Sequence, residues 1–117
     1  MELHERLEMF KNSDQISQND FEALLKVIES FDIFGILLNE ENGAMLVTHL
    51  CVAINRIRNN NLVEAIDAEA YKEIENNASF NKAELAFLLI QKRLNIQIPD
   101  CEKGYIMFHL CILFERK

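Results

Sequence analysis

Apolar positions in this chain recur at helical spacing, and strand-like alternation does not persist over useful lengths. Phe21, Leu24, Leu25, Ile28 and Phe31 mark one face of an amphipathic helix. Ser17 and Asp20 provide its start signals and Gly35 its stop. Ile36, Leu37 and Leu38 then form a short apolar patch. A second helix is expected from about Glu40 to Asn59, burying Leu46, Leu50, Ala53, Ile54 and Ile57 and leaving through Asn59-Asn60-Asn61. A short helix follows from Ala68 to Glu75. Asn76 to Ser79 reads as a break, with Ser79 or Asn77 as cap. The next helix, Lys82 to Leu94, carries Leu85, Leu88, Leu89 and Arg93 along its turns. Pro99 ends that pattern, and Asp100 can cap the last helix, Cys101 to about Glu115. Between Tyr105 and Phe114 apolar residues cover all sides of that helix, so it should be buried on most faces. The expected fold is all-α, a compact bundle of about five helices forming one domain over residues 1–117, with about 20 residues before the first clear helix.

Composition narrows the function. Half of the 117 residues are hydrophobic, enough for a core without staples. The net charge is −7, and no basic run exceeds the pairs Lys92-Arg93 and Arg116-Lys117. That argues against direct nucleic-acid binding, which rests on neutralising phosphates, and against an anionic membrane surface. The longest apolar run is too short to span a bilayer, and the N-terminus lacks signal-peptide character. Cys51, Cys101 and Cys111 have no disulfide-framework spacing, so a reduced, cytoplasmic setting is expected, with Cys51 and Cys111 as core packing. Cys101, near a helix start, is the one thiol placed for a lowered pKa. There is no phosphate loop, nucleophile elbow or acid pair of the kind enzymes use, and nothing implies a cofactor.

The chemistry to explain is a repeated triplet. His49-Leu50-Cys51 and His109-Leu110-Cys111 lie 60 residues apart, and each His is followed seven residues later by an Arg, Arg56 and Arg116. Residues two apart on a helix differ by about 200°, so each Cys points away from its His and one helix cannot chelate a metal through both. A metal site would have to combine different helices. Residues seven apart share a face to within about 20°, two turns or about 11 Å along the axis. Arg56 therefore stands above His49 and Arg116 above His109, with Glu102 two turns below His109. An Arg beside a histidine can receive an anion placed on the ring, and a Glu can orient the ring by a hydrogen bond. From the residues alone, two readings remain open. Each His is either a packed, hydrogen-bonded core residue or a functional one, and each Arg is either an anion partner or a solvated charge at a helix end. The third histidine, His4, reads as solvated among Glu2 and Glu5.

The segment Thr48 to Arg56 resembles the first signature of the PTS regulation domain (PRD), a His followed by apolar residues and an Arg. Ile98-Pro99-Asp100-Cys101-Glu102-Lys103-Gly104-Tyr105-Ile106-Met107-Phe108-His109 resembles the second, and the separation of the two histidines fits the family. The resemblance covers about Phe21 to Phe114. It implies a compact five-helix bundle without catalytic activity that often dimerises. The signature histidines, here His49 and His109, would be phosphorylated by phosphocarrier proteins of the phosphoenolpyruvate:sugar phosphotransferase system. Arg56 and Glu102 match family positions that support the phosphate site; Arg116 enters only through the internal repeat. Family members usually carry a nucleic-acid-binding domain and two PRDs. About 20 residues precede the first clear helix, too few for a binding domain, so the chain is expected to be a stand-alone PRD or a piece of a longer protein, signalling through a homodimer or a separate regulator protein in carbohydrate-linked gene regulation. The alternative is a structural interaction protein with the PRD fold and no phosphorylation.

Overall fold

A computed structural model describes residues 1–116. Its helices are α1 (Leu3–Asn12), α2 (Gln18–Ser30), α3 (Glu40–Arg58), α4 (Ala68–Glu75), α5 (Phe80–Leu94) and α6 (Asp100–Arg116), with a 3-10 turn over Phe31–Phe34 after α2. The architecture is all-α, with no strand among the described residues. The helix beyond the expected five is α1. Glu2 and Glu5 close a capping box at its start, and Leu3 and Leu7 bury one side of it against α2 and α3.

Local signals explain the other boundaries. The Ser17 hydroxyl accepts the Asp20 backbone N–H at 3.0 Å and opens α2. That helix ends at Ser30, earlier than its apolar spacing predicts, and tightens into the 3-10 turn. Gly35, at φ +73°, closes the turn in the left-handed region that favours glycine. Asn39 and Asn42 exchange side-chain-to-backbone hydrogen bonds of 2.9 Å at the start of α3. Asp100 is the first residue of α6 rather than its cap, and the Pro99 carbonyl accepts from the Glu102 and Lys103 N–H groups.

Helix α6 occupies the centre, packed by α3, α4 and α5. Its Ile106, Met107 and Leu110 are fully buried, as the all-round apolar pattern predicts. Each such side chain contributes about 1.5–3 kcal/mol through removal from water. The expected stripe of α5 needs correction. Leu85 and Leu88 are 61% and 53% exposed, and Ala83, Ala86, Phe87, Ile90 and Leu94 form the buried face instead. The two alanines allow this face to lie close to its neighbours. Cys51 and Cys111 are buried in the core, and burial pushes the Cys51 thiol up to about 12. No described helix is long and apolar enough to cross a membrane.

Two ion pairs tie the ends of α3 to earlier helices. Asp20, almost fully buried, accepts from Arg58 at 2.8 and 3.2 Å. Arg6 of α1 forms a fork on Glu40 and donates to the Thr48 hydroxyl at 3.1 Å. This partner holds the Glu40 carboxyl below its usual range.

Candidate functional site: a histidine pair on the α3–α6 seam

Helices α3 and α6 run antiparallel. Arg56 near the end of α3 meets Glu102 near the start of α6, whereas Arg116 at the end of α6 lies beside Asn39, Glu41 and Asn42 at the start of α3. Midway along this seam the rings of His49 and His109 face each other, with centroids 4.9 Å apart and planes inclined by 43°. The two copies of the repeated triplet thus converge on one place. Leu50, Cys51, Leu110 and Cys111 point into the core, and the two histidines stay partly exposed.

Burial is the main reason that both rings resist protonation. It lowers the pKa of His49, helped by His109 and Arg56 and opposed by Glu102, and it lowers that of His109. Both imidazoles are therefore neutral at pH 7, each with a nitrogen lone pair. The His49 Nε2 is buried without a hydrogen-bond partner among the described residues. A neutral imidazole is a nucleophile suited to phosphorus through a nitrogen that a donor can reach, which the buried His49 Nε2 is not.

Arg56 and Glu102, expected to support the site from separate helices, bond to each other. The Arg56 Nε and Nη2 donate to the two Glu102 carboxylate oxygens, both at 2.8 Å. Glu102 is 0% exposed and Arg56 24%. The fork is parallel and bidentate, the geometry in which this pairing is strongest. Its guanidinium is close enough to influence His49 but is already committed to a carboxylate. Arg116 is exposed at the opposite end of the seam, in no ion pair among the described residues. His4 is exposed, as expected, and approaches Glu8 at 2.9 Å.

Tyr105, within the second signature, also belongs to the site. Its ring lies 5.9 Å from that of His49, and its hydroxyl donates to the Glu64 carbonyl at 2.8 Å. It thereby links the histidine pair to the segment before α4. Its spacing, three residues after Glu102 and four before His109, was the available signal. Cys101 is partly exposed on α6. Among the described residues no cluster of three or more His, Cys, Asp and Glu is placed to hold a metal ion.

The fold is an all-helical module that sets two histidines on facing helices, with an Arg–Glu fork beside them. A family model described as the PRD domain matches residues 22–111, and the chain belongs to that family. Membership implies a regulatory module linked to the phosphotransferase system. The chain is also similar to the uncharacterized protein YhfY of Escherichia coli (strain K12), with 22% identity over 106 residues covering 90% of this chain and 88% of that protein. No solved structure matches.

Proposed function

We propose that this protein is a phosphoacceptor module: phosphocarrier proteins of the phosphoenolpyruvate:sugar phosphotransferase system phosphorylate His49 and His109, and the change is read by protein–protein interaction in carbohydrate-linked gene regulation. The observation that carries this reading is the meeting of two neutral, partly exposed histidines 4.9 Å apart on the α3–α6 seam. Phosphorylation places a charge of about −1.5 to −2 and strong acceptor oxygens on such a site. Arg56 is the nearby cation to answer it, in competition with Glu102. The module acts in the cytoplasm, as a homodimer or through a separate regulator, without enzymatic activity and without contacting nucleic acid itself.

The test is incubation with a reconstituted relay driven by labelled phosphoenolpyruvate. Label should enter the protein and fall in His49→Ala and His109→Ala. Absence of label with every carrier tried would refute the reading. A second reading, an interaction protein that is never phosphorylated, draws on the Arg56–Glu102 fork, which already satisfies the guanidinium. It expects complexes that are unchanged when both histidines become Gln.

A further inference from the structure

Two surfaces outside the histidine pair complement each other. The first is the outward face of α5, opposite the side that Ala83, Ala86, Phe87, Ile90 and Leu94 bury. It carries Leu85, Leu88 and Leu89 in the middle, Lys82 before them, and Lys92 and Arg93 after them. Helical spacing places these six within an arc of about 140°. Glu84, the one carboxylate on this helix, falls outside that arc and approaches Lys103 at 3.8 Å. Leu85 and Leu88 are both more than half exposed. In a protein of net charge −7, α5 thus concentrates cations around an exposed apolar stripe.

The second surface is a groove of about 510 Å³ between α4 and α6. Ala70 and Ile74 belong to its α4 wall, and Tyr105, Phe108 and Ile112 to its α6 wall, at the three- and four-residue spacings of single helix faces. Phe108 is 50% exposed, a large ring left partly in water. The charged residues of the groove are Glu73 and Glu115, and no Lys or Arg lines it among the described residues. The Asn77 side-chain amide donates to the Glu115 carboxylate at its rim. From Tyr105 to Glu115 the α6 wall is about 15 Å long, and Lys82 to Arg93 on α5 span about 17 Å.

We propose that this groove receives α5 of a second copy of the chain, so that copies associate head to tail. An amphipathic helix laid into an apolar groove is a recurrent mode of protein recognition. The three leucines fill the groove, and Lys92 and Arg93 meet Glu73 and Glu115. Groove against groove would oppose carboxylates, and α5 against α5 would oppose cations, so charge selects the heterologous contact over either symmetric one. One helix in one groove is a small interface, with an expected dissociation constant on the order of 10–100 µM. The Phe108 ring lies 5.6 Å from that of His109, so the contact borders the histidine pair. It does not require phosphorylation, and its absence would leave the phosphoacceptor reading standing.

Sedimentation of the full chain from about 10 µM to 1 mM tests this contact. The average mass should rise with concentration, and less so in about 0.5 M salt, which screens exposed charges. Glu73→Lys/Glu115→Lys and Lys92→Glu/Arg93→Glu alter exposed side chains only, and circular dichroism checks that each variant is folded. Each should weaken self-association by about ten-fold or more, through like charges brought together. Mixed in equal amounts, the two variants should associate again, because each supplies the face that complements the other. All four substitutions in one chain should likewise restore association. Phe108→Ser should weaken it with no change of charge. A mass independent of concentration, association lost on reversing one face but not the other, or variants that stay apart when mixed would overturn the proposal. So would a dimer indifferent to all four reversals.

Discussion

Replacing Arg56 with Met tests what the fork contributes to the seam. The substitution keeps much of the side-chain length and apolar stem but leaves Glu102, 0% exposed, with neither of its two 2.8 Å donors. Removing one partner of a buried pair typically costs about 3–5 kcal/mol, because the remaining charge stays buried and unpaired. Arg56 is partly exposed, so water can reach some of the space it vacates, and the lower end, about 3 kcal/mol, is expected. A domain of this size has roughly 6–18 kcal/mol of stability in total, so the loss should lower the melting temperature by about 10 °C. Arg56→Met/Glu102→Met removes both charges together. It should recover most of the loss, to within about 1 kcal/mol of the parent, since an apolar pair of similar volume can replace a buried ion pair. Urea and thermal melts of the parent, both single variants and the double variant at neutral pH give the coupling energy directly. If Arg56→Met costs under about 1 kcal/mol, or if the double variant is no better than the worse single, the fork is not the clamp described here.

Three further outcomes are expected. Because His49 and His109 have folded-state pKa values lowered from 6.5, the unfolded chain binds more protons below that pH; their stabilising contribution is complete above it and is lost as pH falls towards the folded values. Melts between about pH 7 and pH 5 should show a decline that His49→Gln/His109→Gln flattens, and an equal decline in that variant would exclude the pair as its source. At Gly104 an added Cβ would lie 2.7 Å from two carbons of Ile66, so Gly104→Ala should be neutral to mildly destabilising in the parent. In an Ile66→Ala background the same change should stabilise by up to about 1 kcal/mol through helix propensity, a reversal of sign readable in urea melts. Leu85→Ala should change stability by less than about 0.5 kcal/mol, whereas Ile90→Ala should cost about 2–4 kcal/mol; comparable losses would mean that the buried face of α5 is the one its leucines suggest.

The long helices were legible because their patterns are local. Ser17, the Asn39–Asn42 exchange, Gly35 and Pro99 act within a few residues of the boundaries they set. The first helix was missed because only Leu3 and Leu7 on it are buried, a signal too sparse to stand out among its charges. The α5 leucines point to the wrong face because Leu85 and Leu88 lie outward while Ala83 and Ala86 make the close contacts that helix packing favours. At the site, both histidines, Arg56 and Glu102 were named as candidates, but each was assigned neighbours on its own helix. Their actual partners lie across the seam, and pairing across 46 residues of sequence depends on the antiparallel packing of α3 on α6. The ion pairs Arg6–Glu40 and Arg58–Asp20 depend on tertiary packing in the same way and leave no local signal.

The first helix has a consequence for where this module can be cut. The family match spans residues 22–111, yet Leu3, Leu7, Ile16 and Phe21 before it, and Leu113 and Phe114 after it, are all buried in the shared core. Phe114 packs against both Phe31 and Phe34, with ring centroids 6.3 and 5.2 Å away. A fragment trimmed to the family borders would present these rings and the α1 side of α3 to water. The borders of the recognisable motif therefore fall inside the folding unit, and a fusion or truncation made at them would yield a sticky, weakened bundle in which the histidine pair loses the scaffold that holds it together.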